Sequence, residues 1–340
     1  MSLEITPVRT RRELDQFIKL PYDLHKGTLW VPPLLMDQRK LLSRDKNPFF
    51  EHAEAEYFLA RKNGRLVGRI SAHVDNNFNE FQQNKWGLWG FFECEDDQEV
   101  ANGLLGVAAA WLTERGRDRM VGPMSFTTND ECGLLVEGYD RPPIVLMPWN
   151  PPYYLQLIEN AGLTKAMDTL MWELYISEKD SVHPAIWEMA AKVESEHNIT
   201  VRPMRKRDMQ AEIERFLDVY NAAWEKNWGF VPLTDDEIRH YAKDLKPVLD
   251  PNWAFIAQEG DKTVGAALTL PDFNQVLRKL NGRLLPFGWI KAIIAKRKID
   301  RVRVIVLGVK PEYQHAGVAA KFYELHFDSA ARTPQHGGEM

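Results

Sequence analysis

The chain has 340 residues, a net charge of −5, 44% hydrophobic and 27% charged residues, the mix of a folded protein with room for two domains. The acidic balance excludes the basic face of a nucleic-acid binder. Two cysteines, Cys94 and Cys132, exclude a disulfide framework and lack metal-ligand spacing. No apolar run reaches bilayer-spanning length, and Met1–Thr6 lacks the basic-then-apolar layout of a signal peptide, so the expected compartment is the cytoplasm.

In chain order, Ile5–Thr10 reads as a strand feeding a helix over 13–19. Trp30-Val31-Pro32 follows. Tyr57–Ala60, the turn Asn63-Gly64 and Leu66–Gly68 form a hairpin pattern. Leu88–Cys94 is a further strand. Leu104, Leu105, Ala108, Trp111 and Leu112 give the apolar spacing of a helix over 99–115. Its entry, Glu95–Glu99, is acidic, which suits a helix start but repels a phosphate. Met120–Met124 reads as a fifth strand, Asn150–Leu163 as a later helix and Leu170–Ile176 as the strand after it. A polar stretch, Ser177–Pro184, then leads into a helix carrying Ile186, Ala190 and Val193 on one face.

The second half repeats the first. Ile199–Arg205 matches the first strand. Asp208 is a suitable N-cap for a helix over 209–224. Phe230-Val231-Pro232 lies 200 positions after Trp30-Val31-Pro32, and Ala257 and Gly265 lie 197 after Ala60 and Gly68. A segment over 275–300 has no counterpart. It contains Leu284–Ile290 and the basic run Lys291–Lys298, and reads either as a lid or surface helix or as an amphipathic segment touching a membrane surface.

Val302–Val309 is the next strand, closed by Pro311, which cannot donate to a ladder. A turn, Gln314-His315-Ala316-Gly317-Val318-Ala319, opens a helix carrying Val318, Phe322 and Leu325 on one side. A helix N-terminus exposes unpaired N–H groups and the positive end of the dipole, and small residues let a phosphate come close. An ordinary strand-to-helix turn would also use small residues for packing.

Gln314, Gly317 and Ala319, placed between strand and helix, resemble the acyl-CoA pyrophosphate loop of the GNAT superfamily of N-acyltransferases. The resemblance implies two tandem GNAT-like α/β (α+β) domains with mixed, mostly antiparallel sheets flanked by helices. The expected boundaries are 1–180 for a degenerate domain, 181–198 for a connecting helix and 199–340 for an acyl-CoA-binding domain. The second domain reads as truncated, lacking its C-terminal strands, with an exposed strand edge that invites self-association. In the first half Leu163 replaces the family's aromatic and the spacing is one residue longer, so the family's tyrosine role is not carried to Tyr153 or Tyr154.

The implied activity is transfer of an acyl group from acetyl-CoA or another acyl-CoA to a small-molecule amine or peptide acceptor. The rival reading is a non-catalytic acyl-CoA-binding or interaction protein. Leu307, Gly308, Val309, Gln314, His315, Ala316, Gly317, Val318 and Ala319 would hold the cofactor, the first three by pairing with pantetheine as an added strand. Trp224, Trp228 and Phe230 are the expected substrate cleft, though core packing explains Trp224 and Phe230 equally well. Glu225 and Asp272 are the candidate bases. A related tandem architecture uses aminoacyl-transfer RNA, which the acidic balance and the CoA-like turn argue against. No metal, serine-hydrolase or P-loop signature is present.

Overall fold

The structure, a computed structural model, describes residues 2–246 and 248–340. It forms two compact units: Met1–Thr169 with Leu277–Ala292, and Leu170–Val276 with Ile293–Met340.

The first unit runs β1 (Leu3–Pro7), α1 (Arg11–Leu24), α2 (Leu35–Leu41), β2 (Ala53–Lys62), β3 (Arg65–Asp75), α3 (Asn76–Phe81), β4 (Trp86–Cys94), α4 (Gln98–Glu114), β5 (Arg119–Val121) and α5 (Tyr153–Asn160). Thr10 starts α1 with a capping box: its hydroxyl accepts from the Glu13 N–H, and the Glu13 carboxylate accepts from the Thr10 N–H. Asn63 and Gly64 both take positive φ, 53° and 78°, as a tight turn between twisted strands demands. The sheet order is β1-β2-β3-β4-β5, antiparallel except for β4 with β5. Ile70, Ala72 and Val74 face one way on β3 and pack with Leu104, Ala108 and Leu112 of α4. On the other side Phe17, Ile18 and Phe49 pack with Tyr57, Leu59 and Phe91.

The second unit contains β6 (Glu173–Tyr175), α6 (Pro184–His197), β7 (Ile199–Pro203), α7 (Met209–Trp224), α8 (Asp235–Leu245), β8 (Ala254–Glu259), β9 (Lys262–Pro271), β10 (Arg301–Val309), α11 (Val318–Ala330) and β11 (Gly337–Glu339). The region the first half lacks carries α9 (Asn274–Leu280) and α10 (Gly288–Lys296), and its Leu277–Ala292 stretch belongs to the first unit. Its sheet order is β7-β8-β9-β10-β11-β6. The first five repeat the pattern of β1 to β5, including the single parallel pair, here β10 with β11. The chain thus carries two α/β sheets of one topology, each flanked by helices.

Two expectations are corrected. The second sheet does not stop at its fourth strand: Gly337–Glu339 pairs in parallel with Arg301–Arg303. Nor does the strand near residue 174 close the first sheet. It pairs antiparallel with β11, so the units divide at Thr169 and Leu170 and not near residue 180. Charge accompanies this exchange. The Arg301 guanidinium on β10 donates from Nη2 to Glu339 on β11 at 2.8 Å and to Glu173 on β6, linking three neighbouring strands through one nitrogen.

Candidate functional site

In the second unit, β10 carries a bulge. Val304 pairs with Thr269 and Val306 with Leu268, leaving Ile305 as the extra residue. β11 covers only Arg301–Arg303. Beyond it, Val304–Val309 has no ladder partner on that side among the described residues. The open edge is therefore shorter than the Val302–Val309 expected, and it includes Leu307, Gly308 and Val309.

The strand ends at Lys310, whose ammonium is held by Asp218 at 2.6 Å. Pro311–Ala316 makes a 3-10 turn and Gly317 starts α11 with φ of 75°. No side chain caps that helix. Gln314 and His315 are exposed, Ala316, Gly317 and Val318 are buried and Ala319 is half-buried. The reason for glycine at 317 differs from the expected one. A Cβ there would lie 2.9 Å from the Met189 carbonyl oxygen of α6. Helix packing and the positive φ require Gly317, which leaves the first turn of α11 and the exposed Gln314 as the surface an anion could meet.

Aromatic rings line the α7 side. Phe216, Tyr220 and Trp224 recur every four residues and stack in sequence at 6.1 and 5.5 Å. Phe230, buried, packs on Tyr220 at 5.4 Å. The Trp224 ring lies directly over Gly308 of β10, where any Cβ would enter it. Trp224 is thus brought to the open strand, Phe230 packs behind it on Tyr220, and Trp228 is surface-exposed. Glu225 is exposed at the C-terminal end of α7, next to Trp224. Asp272 is not brought to this place. Its N–H bonds the Arg301 carbonyl and its carboxylate accepts from the Asn274 N–H. The seven steps from Arg301 to Gly308 put it roughly 20 Å along the strand from Gly308, in the turn that leads into α9.

The first unit answers the same topology differently. At the start of α4, Asp97 accepts from the Glu99 and Val100 N–H groups. Lys62 pairs with Asp97 at 2.5 Å and with Glu99 at 2.8 Å. The helix N-terminus already holds its own carboxylate. The end of β4 is held as well. The Tyr154 hydroxyl accepts from the Cys94 N–H at 2.9 Å, and the Tyr153 hydroxyl donates to the Cys94 carbonyl at 2.9 Å.

Sequence reasoning missed a buried polar cluster beside that strand end. Glu93 on β4 receives the Tyr154 hydroxyl at 2.8 Å and meets His25 Nε2 at 2.6 Å. Arg69 lies 3.4 Å from the same carboxylate and donates to the Phe17 carbonyl at 2.6 Å. The rings of Trp30 and Trp149 stand 5.4 and 5.3 Å from His25. Burial pushes the Glu93 carboxyl up, but His25, Arg69 and the Tyr154 hydroxyl outweigh it and hold Glu93 below its ordinary value. Burial, and then the Glu93 charge, push the Tyr154 phenol well up. On β3, Ser71, His73 and Asp75 continue this polar face beyond Arg69, all fully buried or nearly so. The signal was readable: a strand with apolar Ile70, Ala72 and Val74 on one face and four polar residues on the other, in a region buried on both sides, implies an internal network.

No protein-family model matches the sequence. The chain is 36% identical over 317 residues to the bacterial ceramide synthase of Caulobacter vibrioides (strain NA1000 / CB15N), covering 92% of this chain and 82% of that one. It is 33% identical over 312 residues to Protein YghO of Escherichia coli (strain K12), covering 91% and 79%. The chain belongs to this family. Among solved structures, a tandem GNAT protein from the clavulanic acid biosynthesis pathway aligns over 99% of this chain and 89% of its own, with a TM-score of 0.53 at 11% identity. That likeness shows the fold. The protein is a GNAT-fold N-acyltransferase, an acyl-transfer enzyme, and the reading as a non-catalytic binder is set aside. Among the described residues, no helix is long and apolar enough to cross a membrane.

Proposed function

We propose that this N-acyltransferase moves a fatty acyl group from acyl-CoA to the primary amine of a long-chain amino alcohol. The observation that carries the proposal is the 36% identity, over nearly the whole chain, to a protein named for ceramide synthesis. Acyl-CoA is the thioester substrate that enzymes of this fold generally use.

The second unit has the features such a donor needs. The open edge Val304–Val309 offers backbone groups to the amides of pantetheine. The uncapped start of α11, with Gln314 and His315 exposed beside it, offers N–H groups to the pyrophosphate. Phe216, Tyr220 and Trp224 offer an apolar wall to an aliphatic chain. In the transfer, the neutral amine attacks the thioester carbonyl, a C–N bond forms and the C–S bond breaks. The amine proton goes to a base and the departing thiolate takes up a proton. Glu225 is the candidate base on this side, and positioning of the two substrates supplies most of the acceleration.

A second reading puts the proton transfers in the first unit. The buried Glu93, contacted by His25 and Tyr154, favours it. There Glu93 would orient His25, which would take the amine proton, and the Tyr154 phenol would protonate the thiolate.

The test is incubation of the full chain with palmitoyl-CoA and sphinganine, following amide by mass spectrometry and free thiol by colour. Gln314→Ala lowering turnover through a raised KM for acyl-CoA supports the first reading. Glu93→Gln abolishing kcat with an unchanged KM for acyl-CoA supports the second. Thiol release without amide would contradict the proposal.

A further inference from the structure

Among the described residues, the segment from α9 to the start of β10 exposes more large apolar side chains than any other stretch of its length. Leu285 is 74% exposed, Phe287 69%, Trp289 48%, Ile293 53% and Ile294 57%, and Ile290 is exposed beside them. Such residues on a protein surface, contiguous along one short segment, mark an interaction site.

Their arrangement on α10 is specific. At about 100° per residue, Trp289, Ile293, Ile290 and Ile294 fall in one stripe of about 140°. The inward side of the helix is held by Ala295, which is buried, and Ala292, which is half-buried. The bulky apolar face is turned away from the protein and the small residues pack inward. An ordinary surface helix has the reverse arrangement.

The surroundings are equally one-sided. Arg278, Lys279, Arg283, Lys291, Lys296, Arg297 and Lys298 are all exposed, and no acidic residue occurs between Asp272 and Asp300. A chain with net charge −5 has gathered seven positive charges around one apolar stripe. An aromatic-aliphatic face framed by lysine and arginine suits the boundary between acyl chains and anionic headgroups.

We infer that α10 and the turn before it dock the enzyme on the surface of an anionic phospholipid bilayer, with Phe287, Trp289, Ile293 and Ile294 inserted among the acyl chains. The helix lies in the interface and does not span it. The inference stands on this surface alone and does not require the acceptor proposed above. It would let the enzyme meet substrates that partition into a bilayer.

The test is flotation of the purified full chain with vesicles of phosphatidylcholine alone and of equal parts phosphatidylcholine and phosphatidylglycerol. Binding should be stronger to the anionic vesicles by roughly tenfold or more and should weaken with added salt. Trp289 emission should shift to the blue on binding. The triple variant Phe287→Ser/Trp289→Ser/Ile293→Ser should lose flotation while keeping its thermal transition, because the changed side chains are already exposed. A parallel variant, Lys291→Glu/Lys298→Glu, should lose the preference for anionic lipid. Equal flotation by parent and triple variant would overturn the inference. So would a lipid-free dimer, seen by sedimentation, that the triple variant converts to monomer. Turnover on a short-chain, water-soluble acceptor should be unchanged in these variants, which separates failure of docking from failure of the acyl-transfer reading.

Discussion

The indole of Trp224, the last residue of α7, meets Gly308 of β10 so closely that a Cβ there would come within 2.1 Å of the ring. Gly308 also sits within the part of β10 whose outer edge has no strand partner. The pair ties the position of an aromatic wall to the strand proposed to hold the thioester. Gly308→Ala must push the ring away or bend the strand. The expected cost is about 1–3 kcal/mol in urea unfolding, with acyl transfer falling further than stability alone explains. In a Trp224→Ala background, Gly308→Ala should cost little further stability and should not restore activity. An additive loss in the double variant would contradict the coupling.

The start of α11 can be tested without damaging the fold. Ala319 is the second residue of its helix and half-buried, the place that Glu99 holds in α4. A carboxylate there favours the helix dipole but repels a pyrophosphate. Ala319→Glu should therefore leave the unfolding midpoint unchanged or higher. It should weaken CoA binding by about 2 kcal/mol, roughly thirtyfold, judged from the worth of a charge-assisted hydrogen bond. Calorimetry with CoA is the measurement. Unchanged affinity would remove the pyrophosphate from this turn. Gly317→Val is a poorer probe, because positive φ and the Met189 carbonyl make it destabilising whatever binds.

His73 is fully buried, and burial pulls its pKa from 6.5 to about 4, although its Nε2 bonds the Phe126 carbonyl at 2.7 Å and Asp75 lies nearby. The unfolded chain binds a proton there below pH 6.5 and the folded chain does not until about pH 4. This contribution to stability is complete above pH 6.5 and is lost as pH falls towards 4, at up to about 1.4 kcal/mol per pH unit. His73→Gln should flatten that part of the stability profile. An unaltered slope between pH 6.5 and 4 would show that His73 is protonated in the folded protein.

Glu93 titrates in the same sense and at lower pH. Its folded pKa is held below the ordinary value of 4.5. The stability it contributes is present above pH 4.5 and disappears as pH falls through the lowered value. Glu93→Gln should remove this acid limb. At neutral pH it should also be destabilising, since Arg69 and His25 lose their buried carboxylate. Chemical denaturation of both proteins across pH 3 to 7 checks the direction.

Hairpins and helix starts were legible because local chemistry decides them. Asn63-Gly64 required a tight turn, and the Gln314–Ala319 pattern announced a strand-to-helix junction. What the sequence hid was long-range. Nothing local says that Leu174 pairs with Gly338 across most of the second half, or that Arg301 will bridge two strands separated by more than 160 residues. Asp272 reads as a candidate base beside a strand, and in the structure its carboxylate accepts from the Asn274 N–H at the start of α9. Glu93 was passed over inside an apolar run, because its partners His25, Arg69 and Tyr154 converge only in three dimensions. Gly317 reads in the sequence as room for a phosphate, and what crowds it in the structure is the Met189 carbonyl on another helix.

The central claim is transfer of a fatty acyl group from acyl-CoA to a long-chain amino alcohol, and product mass from one reaction tests it most directly. The full chain is incubated with palmitoyl-CoA and sphinganine bearing a deuterated chain. The account predicts an N-acylated, deuterium-labelled amide formed in equal amount to the CoA released, and lost in Ala319→Glu. Release of CoA with free palmitate and no labelled amide would contradict it, whereas equal amide from parent and Ala319→Glu would remove only the pyrophosphate from the start of α11.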